Sequence, residues 1–199
     1  MEFEHLGARP RISPGAVVAP SAVVSGDVTI GDGCQILHGA VITAEGSPIV
    51  LGENVIVMEN ALVRASSVHA VRIGSHSLVG PMASVAGATI ADEVFLASGT
   101  RVFNGARVGE GSEVRVNAVV HLRTVLPARS VVPIGWVAVG DPVELLPPDR
   151  HERIWELQHD LDFPGYVFGL DRDTPDLMVQ LTERYGSSLA RHRDDRRLD

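Results

Sequence analysis

A period of six residues constrains this chain more than any other feature. Cut at its aliphatic residues from Ile12, the sequence reads ISPGAV, VAPSAV, VSGDVT, IGDGCQ, ILHGAV, and continues through LGENVI, VMENAL, IGSHSL, VFNGAR and VGEGSE to VLPARS. Each unit opens with Ile, Leu or Val, and its fifth residue is usually small. An amphipathic helix repeats its apolar positions at three and four residues. An isolated strand alternates briefly and stops, so neither accommodates about twenty such units. The pattern specifies a parallel β-helix: each unit is a short strand plus a turn, with the aliphatic side chain pointing inward.

The irregular units fix the number of strands per coil. Long units start at Ile42 and Val63 and short ones at Val85 and Val120; counted in threes from Ile12, all four are third members. Insertions at one recurring corner imply three faces, a triangular prism of about six coils stacked at roughly 4.8 Å. The expected division is a lead-in over 1–11, the β-helix over 12–147, and α-helices with a charged tail over 148–199. Asp149 and Glu152 suggest a capping box for a helix that packs through Ile154, Trp155, Leu157 and Leu161. A second helix is expected from Thr174-Pro175 to Gly186, and RHRDDRRLD is expected to fray.

Composition narrows the chemistry. All 17 basic residues are arginine, which excludes Schiff-base lysines and lysine-dependent phosphoryl transfer. A net charge of −8 argues against nucleic acid and anionic membranes as partners, and no apolar run reaches membrane-spanning length. The one cysteine, Cys34, excludes an intrachain disulfide, and its fifth position makes it core filling rather than a nucleophile. The acidic N-terminus MEFEHLGARP lacks the apolar core of a secretory signal, so a cytoplasmic setting is expected.

Over about residues 10–160, the phrases GDVTIGDGCQI, GSPIVLGENVIV and VAVGDPVELLPP make the sequence resemble the γ-class carbonic anhydrases and their hexapeptide-repeat relatives. The resemblance implies a left-handed β-helix, a homotrimer, and a zinc ion held by three histidines between subunits. In the repeat frame those ligand positions fall on Arg64, Pro81 and Ala86, and the supporting positions on Thr43, Glu45, Met58 and Glu59. Zinc without three protein ligands and an open fourth position cannot acidify bound water, so no metal and no cofactor is expected. His38 and His121 lie roughly 10 Å along the prism from the ligand positions; His69 with His76 is the one relocated pair left open.

Three readings follow. In the first, a γ-carbonic-anhydrase-like trimer binds a small anionic or carbonyl ligand in the subunit cleft through Arg64, with Glu59 and Glu45 as its partners. In the second, a hexapeptide acyltransferase binds acyl-coenzyme A between prisms and uses His69 or His38 as general base, His38 being charged by Glu59 one coil on. In the third, the chain is a non-catalytic structural subunit. Asn104 and Asn117 are expected as turn residues, and outward apolar residues such as Met58, Pro81, Met82 and Ala86 motivate the trimer.

Overall fold

The aliphatic residue that opens each unit becomes a rung of an internal ladder. On the first face Val24, Ile42, Val63, Val85, Val102 and Val120 are successive register partners, all fully buried. Ile30, Leu51, Ile73, Ile90, Val108 and Leu126 stack in the same way on the second face. On the third, the ladder is Ile36, Val57, Val79, Leu96, Val114 and Val132. Burying one such side chain stabilises by about 1.5–3 kcal/mol, so the repeat itself supplies the core. The result, in a computed structural model describing residues 1–198, is a left-handed parallel β-helix with faces of ten, seven and seven strands.

Sharp corners take a residue with a left-handed backbone. At the corner between the second and third faces it falls on Gly33, Asn54, His76, Glu93, Gly111 and Arg129, with φ of 68, 54, 58, 58, 65 and 59°. Gly and Asn adopt this conformation readily, whereas the other side chains are held there by the ladders on either side. The two insertions, residues 45–48 and 66–70, both leave at the corner between the first and second faces, as the unit lengths require.

The chain ends depart from expectation. Glu2–Glu4 pairs in parallel with Val23–Ser25 and begins the prism. Glu144–Leu146 turns back antiparallel on Val137–Val139 and closes the far end. Helix α1, His151–His159, starts after Arg150 with no side-chain cap, so the Asp149–Glu152 capping box does not form. Its Ile154 packs on Val139 and Leu146, joined by Leu157 and Leu161. Trp155, expected on that packed side, is exposed, with the Arg172 guanidinium 5.5 Å above its ring. Helix α2, Leu177–Leu189, starts later than Thr174 and runs through Gly186. A mid-helix glycine costs only about 1 kcal/mol against alanine, which is too little to stop it.

The expected fraying of the tail is overturned. Ala190–Asp194 makes a short 3₁₀ turn, and Arg196–Arg197 adds antiparallel to Phe3 and Glu4, with Arg196 donating to Glu4 Oε2 at 2.7 Å. The strand Glu2–Glu4 would otherwise leave an open edge of unpaired backbone groups. Asp199 lies outside the described residues.

Candidate functional site: the Arg64 cavity

Strand alternation turns Arg64 outward because Val63 points inward. Its register neighbours are Thr43 and Ala86. The first insertion brings Glu45 back beside it, so that Arg64 Nη2 and Glu45 Oε1 lie 3.5 Å apart. Thr43 Oγ1 donates to the same oxygen at 3.0 Å, and Glu45 is buried. Above them α2 lays Tyr185, whose ring centroid is 5.7 Å from the Arg64 guanidinium. Between the first face and the C-terminal segment is a cavity of about 290 Å³, lined by Arg64, Glu45, Asn104, Phe168, Arg184 and Tyr185 among others. Arg184 is partly engaged, donating to the carbonyls of Phe168 and Gly169 at 3.3 and 3.1 Å. The wall facing Arg64 therefore belongs to the same chain.

The second insertion flanks this cavity. Ser66 Oγ accepts from the Val68 and His69 amides at 3.3 and 3.0 Å, a side-chain-closed turn, and lies 3.3 Å from His69 Nδ1. The His69 ring packs on Tyr166, and burial pulls its pKa below the ordinary histidine value. Gly87 makes this packing fit: with φ +53°, a side chain there would come within 2.6 Å of both His69 Cβ and Asn104 Nδ2. Asn104 is a turn residue as expected and is also buried, lining the cavity, and Asn117 occupies a left-handed corner.

The structure brings Arg64 and Glu45 together, sets His69 on the loop beside their cavity, and leaves the other candidates elsewhere. Glu59 is exposed and forms no ion pair with Arg64 or His38 among the described residues. His38, on the surface, hydrogen-bonds Ser21 Oγ at 2.7 Å. His69 and His76 lie at different corners, with the strand Val71–Ile73 between them, so they cannot share a metal ion. His121 is buried against Phe103 at 5.5 Å between centroids, with Nδ1 unpartnered, and its pKa is lowered by burial.

A second polar cluster lies beside Glu45 and was not anticipated. His5 and His192 stack with ring centroids 4.3 Å apart, and Asp195 contacts both. Opposite chain ends supply them, so no local spacing could have linked them.

A family model described as bacterial transferase hexapeptide (six repeats) matches residues 9–44. The chain is 33% identical over 101 residues to gamma carbonic anhydrase 1, mitochondrial, of Arabidopsis thaliana, covering 48% of this chain and 37% of that protein. It is 31% identical over 91 residues to a probable carbonic anhydrase of Methanocaldococcus jannaschii, covering 46% of this chain and 57% of that one. Both matches span less than two thirds of the relative's length. Among solved structures, a Bacillus cereus protein described as a putative acetyltransferase superposes with a TM-score of 0.62 at 18% identity, covering 94% of this chain and 96% of the other. That similarity shows the fold. No helix among the described residues is long and apolar enough to cross a membrane.

Proposed function

We propose that this hexapeptide-repeat chain forms a cytoplasmic, γ-carbonic-anhydrase-like homotrimer that lacks the zinc triad at Arg64, Pro81 and Ala86. Its Arg64 cavity holds a small carboxylate or bicarbonate-like anion. The observation that carries this reading is the setting of the guanidinium: one carboxylate 3.5 Å away on one side, an aromatic face on the other, and the cavity in front. A planar cation so placed is oriented by Glu45 and keeps donors for a bidentate anion. The carbonic anhydrase relatives support the scaffold. The ligand position moves from a cleft between subunits to a space within one chain, because the C-terminal segment occupies the near side of the first face.

Subunits meet on the third face, where Val17, Phe95 and Val131 are 54, 41 and 47% exposed at outward positions. Between Gln35 and Glu113 on that face, Ile56, Leu78 and Phe95 are successive outward register partners, and an apolar run of this kind marks an interaction site.

Arg64→Met tests the reading by titration calorimetry with small carboxylates and bicarbonate. Losing the partly buried guanidinium removes the main charge facing the anion, so affinity is expected to fall roughly tenfold or more while circular dichroism stays unchanged. Equal binding by both forms, or none by the wild type, overturns it.

One observation favours acyl transfer from acyl-coenzyme A as the second reading. Partial burial lowers the pKa of His69, which sits on a projecting loop beside the cavity, and this suits a general base. Under that reading His69→Ala abolishes acyl transfer and leaves anion binding intact. Indifference at both positions favours the structural subunit.

A further inference from the structure

We propose that His5, His192 and Glu45 form a site for one divalent transition-metal ion of the zinc class, with Asp195 orienting both imidazoles. His5 Nδ1 lies 2.5 Å from Asp195 Oδ1, and His192 Nδ1 lies 2.8 Å from Asp195 Oδ2. One carboxylate thus accepts from both Nδ1–H groups. In the neutral tautomers this leaves both Nε2 atoms bare, and both face Glu45: His192 Nε2 is 3.0 Å and His5 Nε2 3.9 Å from Oε2. His5 is only 2% exposed, and its Nε2 has no hydrogen-bond partner.

Two lone pairs aimed at a carboxylate repel it. Protonating His192 alone relieves its own contact with Glu45 but leaves the buried His5 Nε2 without a partner, and protonating both rings stacks two imidazolium ions 4.3 Å apart. A single divalent cation satisfies both nitrogens and the carboxylate together. Tetrahedral bonds of about 2.0–2.2 Å put ligand atoms roughly 3.5 Å apart, and the two distances to Glu45 bracket that value. Asp195, which holds both rings from behind, lies within 4.8 Å of an atom of each imidazole. The outer carboxylate holding two metal-bound imidazoles is a recurrent second layer of such sites. A groove of about 280 Å³, lined by Phe3, Thr43, Glu45, His192 and Asp195 among others, gives an ion access.

None of the three ligands stands at a position where the family resemblance places a zinc ligand, although Glu45 is one of its supporting positions, and the site departs from the expectation of no metal. Its role follows from position. His192 and Asp195 precede the strand Arg196–Arg197 that closes on Glu2–Glu4, so the ion fastens the tail to the first coil.

The test uses the full chain, stripped with a chelator and titrated with Co²⁺, reading visible d–d absorption, stoichiometry and thermal midpoint with and without Zn²⁺. One ion per chain is expected, displaced by Zn²⁺, with a higher midpoint in its presence. His5 is buried, so His192→Ala, at a partly exposed position, carries the test. It should abolish the Co²⁺ band and the Zn²⁺ stabilisation while leaving the circular dichroism intact. Asp195→Asn should weaken affinity roughly 10- to 100-fold. His69→Ala should bind Co²⁺ like the wild type, and His192→Ala should still bind the anion of the Arg64 cavity, which separates this proposal from that reading. A folded wild type with no Co²⁺ band overturns it, as does a band that survives in His192→Ala. So does an NMR titration showing both imidazoles doubly protonated at neutral pH and unmoved by Zn²⁺.

Discussion

His69 and Tyr166 pack ring against ring, 4.7 Å between centroids and tilted by 49°. This contact joins a loop that projects from the prism to the segment that returns across it. The Arg123 guanidinium lies 5.6 Å from the centroid of the same tyrosine ring, so one aromatic group ties two coils to the C-terminal region. The cavity around Arg64 keeps its shape only while that segment stays down.

Gly87 is the backbone position on which this packing depends. Gly87→Ala adds a methyl group into His69 and Asn104 at a positive φ, and alanine at such a position destabilises by at least ~1 kcal/mol. Urea denaturation should show a lower midpoint with an unchanged slope. An unchanged midpoint would mean that the loop does not rest against this residue.

Acid sensitivity should be traceable to His121. Burial holds its pKa below the ordinary 6.5, so on acidification the unfolded chain binds the proton first and stability falls from about pH 6.5 down through the folded value. His69 acts with the same sign. The pKa of His192 is raised, first by its hydrogen bond to Asp195, so its contribution is lost instead as pH rises through the folded value. His121→Phe keeps a ring against Phe103 and removes the titration. Its urea midpoint should depend less on pH between about 5 and 7 than that of the wild type. Parallel profiles would show that His121 stays protonatable in the fold.

Assembly should depend on the third face. Light scattering is expected to give a mass of three chains for the wild type and one for Phe95→Glu, since a carboxylate at the centre of an apolar interface is buried without a partner. A wild-type mass of one chain would remove the trimer and leave the intrachain cavity standing.

The six-residue period determined the prism by itself, because each rung of the core is set locally: one inward aliphatic residue, one small fifth residue and one turn. Unit lengths also fixed three faces and the corner from which Glu45 and His69 emerge. Arg64 was legible as an outward charge next to an inward valine, and Glu45 as one of two carboxylates expected beside it, of which only packing excluded Glu59. What the repeat could not encode was the path of the chain after it stops. Helical segments and a tail obey no ladder, and only packing decided that Tyr185 faces Arg64, that Asn104 is buried under the return, and that Arg196–Arg197 covers the first edge. His5 and His192 show the difference most clearly. They sit near opposite ends of the sequence and stack at 4.3 Å because the tail turns back onto the first strand, a long-range closure that no local pattern specifies.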